Sequence, residues 1–139
     1  MTSSESEGQF EGLINDLKDK VISMEILEGS DSYYKQDTEG ASSDQYDLIR
    51  SITESDTLKI VQNIKYDNLK YMFLKNIGDE GKPPVYLYIS TDVDQNNMKR
   101  GMFITAFYCY SLVFTFDFKK LNNTTAKIIN ILDQYQAEE

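Results

Sequence analysis

Asp92, Asp94 and Asn96 recur at alternate positions, as the first oxygen ligands of a calcium-binding loop do. Such a loop also needs a glycine at its sixth position for a sharp turn and a bidentate glutamate at its twelfth. This sequence has Asn97 and Phe103 at those positions. We therefore interpret the run as a polar loop between strands and expect no metal site there.

Two other short features fail the same kind of test. The run 78–82 resembles a phosphate-binding loop, but Asn76 takes the place of the first glycine and Pro83 that of the magnesium-binding Ser or Thr. Cys109, the single cysteine, lies in an apolar run with no cation within five residues. A thiol needs such a neighbour to become a reactive thiolate. We expect an unreactive, structural cysteine.

The composition removes most familiar enzyme chemistry. The 139 residues include no histidine, no tryptophan and only one cysteine. The chain therefore has no Cys/His zinc site, no histidine general base and no intramolecular disulfide. None of the 23 Asp and Glu residues is singled out as a catalytic pair. We expect a protein without catalytic residues, metal or cofactor, which is not an enzyme.

The formal net charge of -9 is unevenly distributed. Residues 1–56 hold 14 acidic and 4 basic residues, whereas residues 57–139 hold 9 and 10. Nucleic acids and anionic membranes attract basic surfaces, so direct binding to either is disfavoured. The N-terminus has neither the basic start nor the apolar core of a secretory signal. We expect a cytoplasmic or nuclear protein that is not secreted.

Hydrophobic spacing predicts the elements of the first half. Apolar residues at helical intervals predict a helix over about 7–19, and alternation over 21–28 predicts a half-buried strand. The segment 29–43 is polar and acidic, with Tyr33 and Tyr34 as its only large apolar anchors. It is expected to be a mobile acidic loop, with at most a short strand at the tyrosines. A short helix is predicted over 44–54.

Asp67 and Asn68 stand between two runs of alternating apolar and polar residues, 58–66 and 69–74. This pattern is typical of a β-hairpin with a two-residue turn. In that register Lys65 faces Lys70 across the ladder, on the outer side of the hairpin.

Val61, Met72 and Leu74 share that outer side. A contiguous exposed apolar patch usually marks a contact. Two readings remain open. Either a helix of the same chain covers this face, which would give a three-layer domain, or another protein does.

The run 101–116 contains no charged residue. It is shorter than the roughly 20 residues that a membrane-spanning helix needs, and it alternates like a strand. We predict a strand over 102–118 that is bent, bulged or split near 108–111, because an unbroken strand would be unusually long. The alternative is a helix over 98–110 followed by a strand over 112–118. A final helix is predicted to begin at Asn123 or Thr124.

These elements predict one α+β domain over residues 1–139. The expected architecture is a two-layer sandwich with a mainly antiparallel sheet of about five strands and about three helices. The order of elements resembles that of the profilin-like and roadblock-like modules. That resemblance implies the two-layer plan which those modules use for scaffolding and dimerisation.

The sequence favours a non-enzymatic protein-binding module, such as an adaptor, complex subunit or inhibitor, that binds another protein or a second copy of itself. The expected contacts are the sheet face and the acidic N-terminal part: Val61, Met72, Leu74, Lys65, Lys70, Tyr33 and Tyr34. The alternative is an acidic inhibitor that mimics nucleic acid on a nucleic-acid-binding enzyme. That alternative needs ordered carboxylates along one surface. A carboxylate-based or tyrosine-based enzyme is the third reading, and a pocket holding an acid of raised pKa would favour it.

Overall fold

The computed structural model describes residues 11–54, 61–78, 84–107 and 110–137. In these parts the chain forms seven strands, three α-helices and one 3₁₀ turn. They are α1 (11–17), β1 (Ser23–Glu28), β2 (Asp31–Gln36), α2 (Ser43–Glu54), β3 (Asn63–Tyr66), β4 (Leu69–Asn76), β5 (Val85–Val93), β6 (Lys99–Phe107), β7 (Tyr110–Asp117), η1 (Phe118–Lys120) and α3 (Leu121–Ala137).

The strands form one antiparallel sheet in the order β2-β1-β7-β6-β5-β4-β3. The number of strands is seven and not the expected five. The predicted strand over 102–118 is split into the central hairpin β6–β7, which is one of the three interruptions expected near 108–111. Residues 108 and 109, between the two strands, lie outside the described residues, and so does the expected structural role of Cys109. The helix considered for 98–110 is absent, because 99–107 is a strand.

Helices cover both faces of the sheet, so the expected two-layer arrangement is wrong. The core on one face joins α1 and α3 to β1, β5, β6 and β7, through residues such as Leu17, Phe103 and Ile128. The core on the other face joins Ile49 and Ile52 of α2 to β3–β7 and to the end of β1. The molecule has three layers. None of the described helices is long and apolar enough to cross a membrane.

Each edge of the sheet is modified in a way that hinders pairing with another strand. In β2 the register with β1 shifts opposite Ile26 and Leu27, so Tyr33 is an extra, bulged residue. At the other edge, the side-chain amide oxygen of Gln45 in α2 accepts the backbone N–H of Lys65 at 2.7 Å. Bulges and covered edges are both known protections against edge-to-edge association.

The segment between β2 and α2 joins the two edges of the curled sheet. The Gly40 carbonyl accepts the backbone N–H of Asp67, in the β3–β4 turn, at 2.7 Å. The segment 29–43 thus contains β2 and a connection that the Gly40–Asp67 backbone hydrogen bond attaches to the β3–β4 turn. Its mobility stays a prediction.

The starts of two helices differ from the predicted ones. Helix α2 spans Ser43–Glu54, close to the expected 44–54, whereas α3 begins at Leu121 and not at Asn123 or Thr124. Asp117 is the reason for the earlier start. Its side chain accepts the backbone N–H of Lys119 and so caps η1, which runs directly into α3.

Candidate protein-binding surface

The β3–β4 hairpin has the register that the sequence predicts. Asp67 and Asn68 both adopt left-handed backbone conformations, with φ of 51° and 64°. Two consecutive positive φ angles are typical of the tight turn that matches the twist of a hairpin. Asn63 pairs with Met72, and Lys65 pairs with Lys70.

The outer side of this hairpin lies on the α1 and α3 side of the sheet, but the core under these two helices contains no residue of β3 or β4. Met72 is 44% exposed and Leu74 is 42% exposed as a result. Leu74 occupies an irregularity in the ladder, between the pairs that Phe73 and Lys75 form with β5. Both side chains are therefore exposed, and their use as a contact stays a prediction.

Several lysines share this side of the sheet with Met72. Ladder pairing places Lys65, Lys70, Lys75 and Lys99 on the same side of the sheet as Met72. None of the described carboxylates forms an ion pair with any of these lysines; the Lys99 ammonium instead donates to a backbone carbonyl. We call this surface the lysine face: Lys65, Lys70, Met72, Leu74, Lys75 and Lys99.

The other three residues that the sequence groups with this surface lie elsewhere. Val61 packs against the core under α2, and its carbonyl accepts the Tyr88 hydroxyl at 2.7 Å. Tyr34 is half-buried at the edge of the core under α1 and α3. Tyr33 is 41% exposed and packs on Tyr110, at 5.6 Å between ring centroids. Both tyrosines are on β2, at the opposite edge of the sheet from the lysine face.

Glu25 forms a polar cluster inside the core under α2. The residue is fully buried, and its carboxylate accepts hydrogen bonds from Ser32 at 2.6 Å, Tyr46 at 2.8 Å and Tyr66 at 2.8 Å. Burial, followed by the hydrogen bond to Glu25, raises the pKa of Tyr46 to about 12. Burial and the nearby Glu25 charge also raise the pKa of Tyr66. These hydroxyls stay protonated at neutral pH and act as fixed donors.

Arg100 forms a second polar cluster near the β3–β4 turn. Its Nε donates to Asp94 Oδ2 at 2.8 Å, and its Nη1 donates to Asp67 Oδ2 at 3.3 Å. Asp94 Oδ1 accepts the backbone N–H groups of Asn96 and Met98. The loop that begins like a calcium site therefore uses this carboxylate internally. No group of three metal-ligating side chains occurs in the described parts of the chain.

Sequence reasoning missed both clusters. In the alternating strand over 21–28, Glu25 lies on the polar side, which a half-buried strand would turn to water. It is buried because α2 covers that side, and nothing near Glu25 in the sequence indicates this. Arg100 meets Asp67 only through the sheet, since 33 residues separate them.

No protein-family model and no curated protein matches this sequence. Among solved structures, the chain is similar to profilin IA of Acanthamoeba castellanii, with 14% sequence identity, a TM-score of 0.57 and 86% of each chain covered. It is also similar to LokiProfilin1, with 13% identity, a TM-score of 0.57, and 95% of this chain and 98% of that one covered. The chain thus has a profilin-like α+β fold, with a curled antiparallel sheet and three helices. At this identity the likeness concerns the fold alone.

Proposed function

We propose that this protein is a non-enzymatic binding module, an adaptor, complex subunit or inhibitor, that uses its lysine face to bind an acidic surface of another protein. The observation that carries the proposal is the exposure of Met72 and Leu74 among lysines that pair with no described carboxylate. Apolar side chains supply area that is removed from water on binding, and the surrounding charges select the partner and its orientation.

The charge of the whole chain supports this choice of partner. A formal net charge of -9 repels acidic partners at long range. The four lysines of the lysine face form a local region of positive charge on this acidic protein. Lys65 and Lys70 pair directly across the β3–β4 ladder. Like charges in that position repel each other, and an acidic partner group between them would relieve the repulsion.

Affinity capture from native cells, followed by mass spectrometry, tests the proposal. The full chain is compared with Lys65→Glu/Lys70→Glu and with the matched control Lys35→Glu/Lys127→Glu, which alters two exposed lysines away from the lysine face by the same total charge. We expect a partner that binds the wild type and the control and is lost from the first variant. Equal recovery by both variants would refute the proposed face. If the partner is a second copy, sedimentation will show a dimer that only the first variant dissociates.

A second candidate function is nucleic-acid mimicry. It is favoured by the position of exposed carboxylates on regular elements, Glu28 and Asp31 on β1 and β2 and Asp47 on α2. A mimic should capture a nucleic-acid-binding protein, and added duplex DNA should displace that protein. Glu28→Gln/Asp31→Asn should then weaken capture, whereas the Lys65/Lys70 variant should not.

A further inference from the structure

The β1–β2 hairpin carries two acidic residues that face each other, just as the β3–β4 hairpin carries two lysines. Glu28 and Asp31 pair directly across the ladder, on either side of a two-residue turn. Both are exposed, and neither side chain forms an ion pair or a hydrogen bond with the described residues. Like charges in that arrangement repel each other. We call Glu28 and Asp31 the acidic pair.

Two tyrosines lie beside the acidic pair. Tyr110 of β7 pairs with Glu28 in the ladder and packs against the core under α1 and α3, so the acidic pair lies on that side of the sheet. Tyr33 packs on Tyr110 and is 41% exposed. The lysine face has Met72 and Leu74 in the corresponding role. Each surface therefore combines two opposed like charges with exposed apolar side chains, and the charges of the two surfaces are opposite.

The acidic pair and the lysine face are far apart in one molecule. They lie at opposite edges of the sheet. All neighbouring strands are antiparallel, so the β1–β2 turn and the β3–β4 turn also lie at opposite ends of the strands. On this side of the sheet α1 and α3 cover the strands between the two turns. One copy therefore cannot join its own acidic pair to its own lysine face.

We propose that the lysine face binds the acidic pair of a second copy of this chain. This inference rests on the function proposed above, because it names the acidic surface that the lysine face binds. The two carboxylates of one copy lie against the opposed lysines of the next, and a single contact relieves both like-charge repulsions. Met72 and Leu74 lie against the rings of Tyr33 and Tyr110, which removes apolar area from water.

The contact joins different surfaces of the two copies, so it is heterologous. A dimer formed in this way keeps a free lysine face on one copy and a free acidic pair on the other, to which further copies add. Contacts of this kind produce rings where the rotation closes and open filaments where it does not. Each copy carries a net charge of -9, which opposes association at long range. We therefore expect a weak assembly that grows with concentration.

Sedimentation equilibrium of the full chain at high protein concentration tests the proposal. At about 0.15 M salt the screening length is about 8 Å, so repulsion between whole copies is weakened while ion pairs in direct contact persist. The average mass of the wild type should rise with concentration beyond that of a dimer. The lysine variant, Lys65→Glu/Lys70→Glu, and the acidic variant, Glu28→Lys/Asp31→Lys, should each remain monomeric, because each has lost one of the two surfaces.

Combining the two changes should restore assembly. In an equal mixture of the lysine variant and the acidic variant, the acidic pair of the first meets the lysine face of the second. A chain that carries all four substitutions has exchanged the charges of its two surfaces at unchanged net charge, and it should assemble as the wild type does. The matched controls, Lys35→Glu/Lys127→Glu and Glu11→Lys/Asp19→Lys, make the same changes of net charge at exposed positions outside both surfaces and should still assemble.

A wild type that stays monomeric at every concentration would overturn the inference, and the capture experiment would still decide the proposed function. If the lysine variant dissociates the assembly and the acidic variant does not, the lysine face binds another acidic surface. The inference is then wrong while the proposed function stands. Assembly that both variants retain would show that copies associate elsewhere and would overturn the inference. Loss of assembly in the controls, or no assembly in the mixture and the fourfold variant, would overturn it as well.

Discussion

The two sides of the β3–β4 hairpin differ sharply although they alternate residue by residue along the same strands. On the inner side, Ile64, Tyr66 and Tyr71 are buried beneath α2. On the outer side, Lys65 and Met72 remain exposed. Hydrophobicity alone does not separate the two sides, since Met72 is more apolar than either tyrosine. The side that a helix covers becomes core, and the other side is left for a partner.

The largest expected effect is on the inner side. Glu25→Ala removes the fully buried acceptor of three hydroxyl donors, of which Tyr66 is also fully buried, and should lower the free energy of unfolding by about 3–5 kcal/mol. Urea denaturation measures the change. Glu28→Ala, on the same strand but exposed, is the control and should change stability by less than about 0.5 kcal/mol. A small effect of Glu25→Ala would mean that the buried cluster does not hold the inner side together.

Two inner tyrosines should respond differently to loss of the hydroxyl. Tyr66→Phe removes a hydrogen bond to a carboxylate and should cost about 1.5–3 kcal/mol. Tyr71→Phe removes a hydroxyl that forms no hydrogen bond of good geometry with the described residues, so it should leave stability unchanged or raise it. The pair is matched in size and burial, and thermal or urea unfolding distinguishes them. Equal losses would contradict the difference in hydrogen bonding.

The same cluster predicts sensitivity to alkaline pH. The pKa of Tyr46 rises from an ordinary 10.0 to about 12 in the folded protein. The unfolded chain therefore loses its tyrosine proton first, and stability falls as the pH rises from about 10 to about 12. Tyr46→Phe should reduce this slope in urea unfolding at pH 9–12. Tyr33→Phe, which changes an exposed tyrosine outside the cluster, should leave the slope as it is.

The smallest expected effect is on the outer side. Lys70→Glu replaces the repulsion with Lys65 by attraction and should stabilise the isolated protein by about 0.2–1 kcal/mol. The same change should weaken binding of an acidic partner at the lysine face. Melting temperature and partner affinity are measured on the one variant. If neither the melting temperature nor the partner affinity changes, Lys65 and Lys70 do not interact, and the role proposed for the lysine face is refuted.

Much of the local structure follows from the sequence. The Asp67-Asn68 dipeptide and the alternation around it predict the hairpin and its register correctly, because left-handed turn residues and a period of two are local properties. The helical stripe over 44–54 likewise predicts α2 nearly to the residue. The length of the run 102–118 likewise predicts an interruption of the strand, though not which kind.

The faces of the run 102–118 do not follow from its alternation, and the reason is physical. Alternation along a single strand would place residues of one parity, from Met102 to Phe118, on a single face. In the hairpin β6–β7, Met102 instead pairs with Thr115, and Phe103 pairs with Phe114. In this hairpin even positions of one strand therefore lie beside odd positions of the next. Whether a run is one strand or a hairpin must be known before its faces can be assigned.

The candidate site shows the same division between local and long-range information. Local pattern determined that Lys65, Lys70 and Met72 share one side of a hairpin, since neighbours in a tight hairpin are fixed by the turn. Only the tertiary structure decided that α1 and α3 leave this side uncovered, that α2 buries Glu25, and that Arg100 meets Asp67. These outcomes depend on how separate elements pack together, and helix stripes of similar hydrophobicity do not specify which face of a sheet they cover.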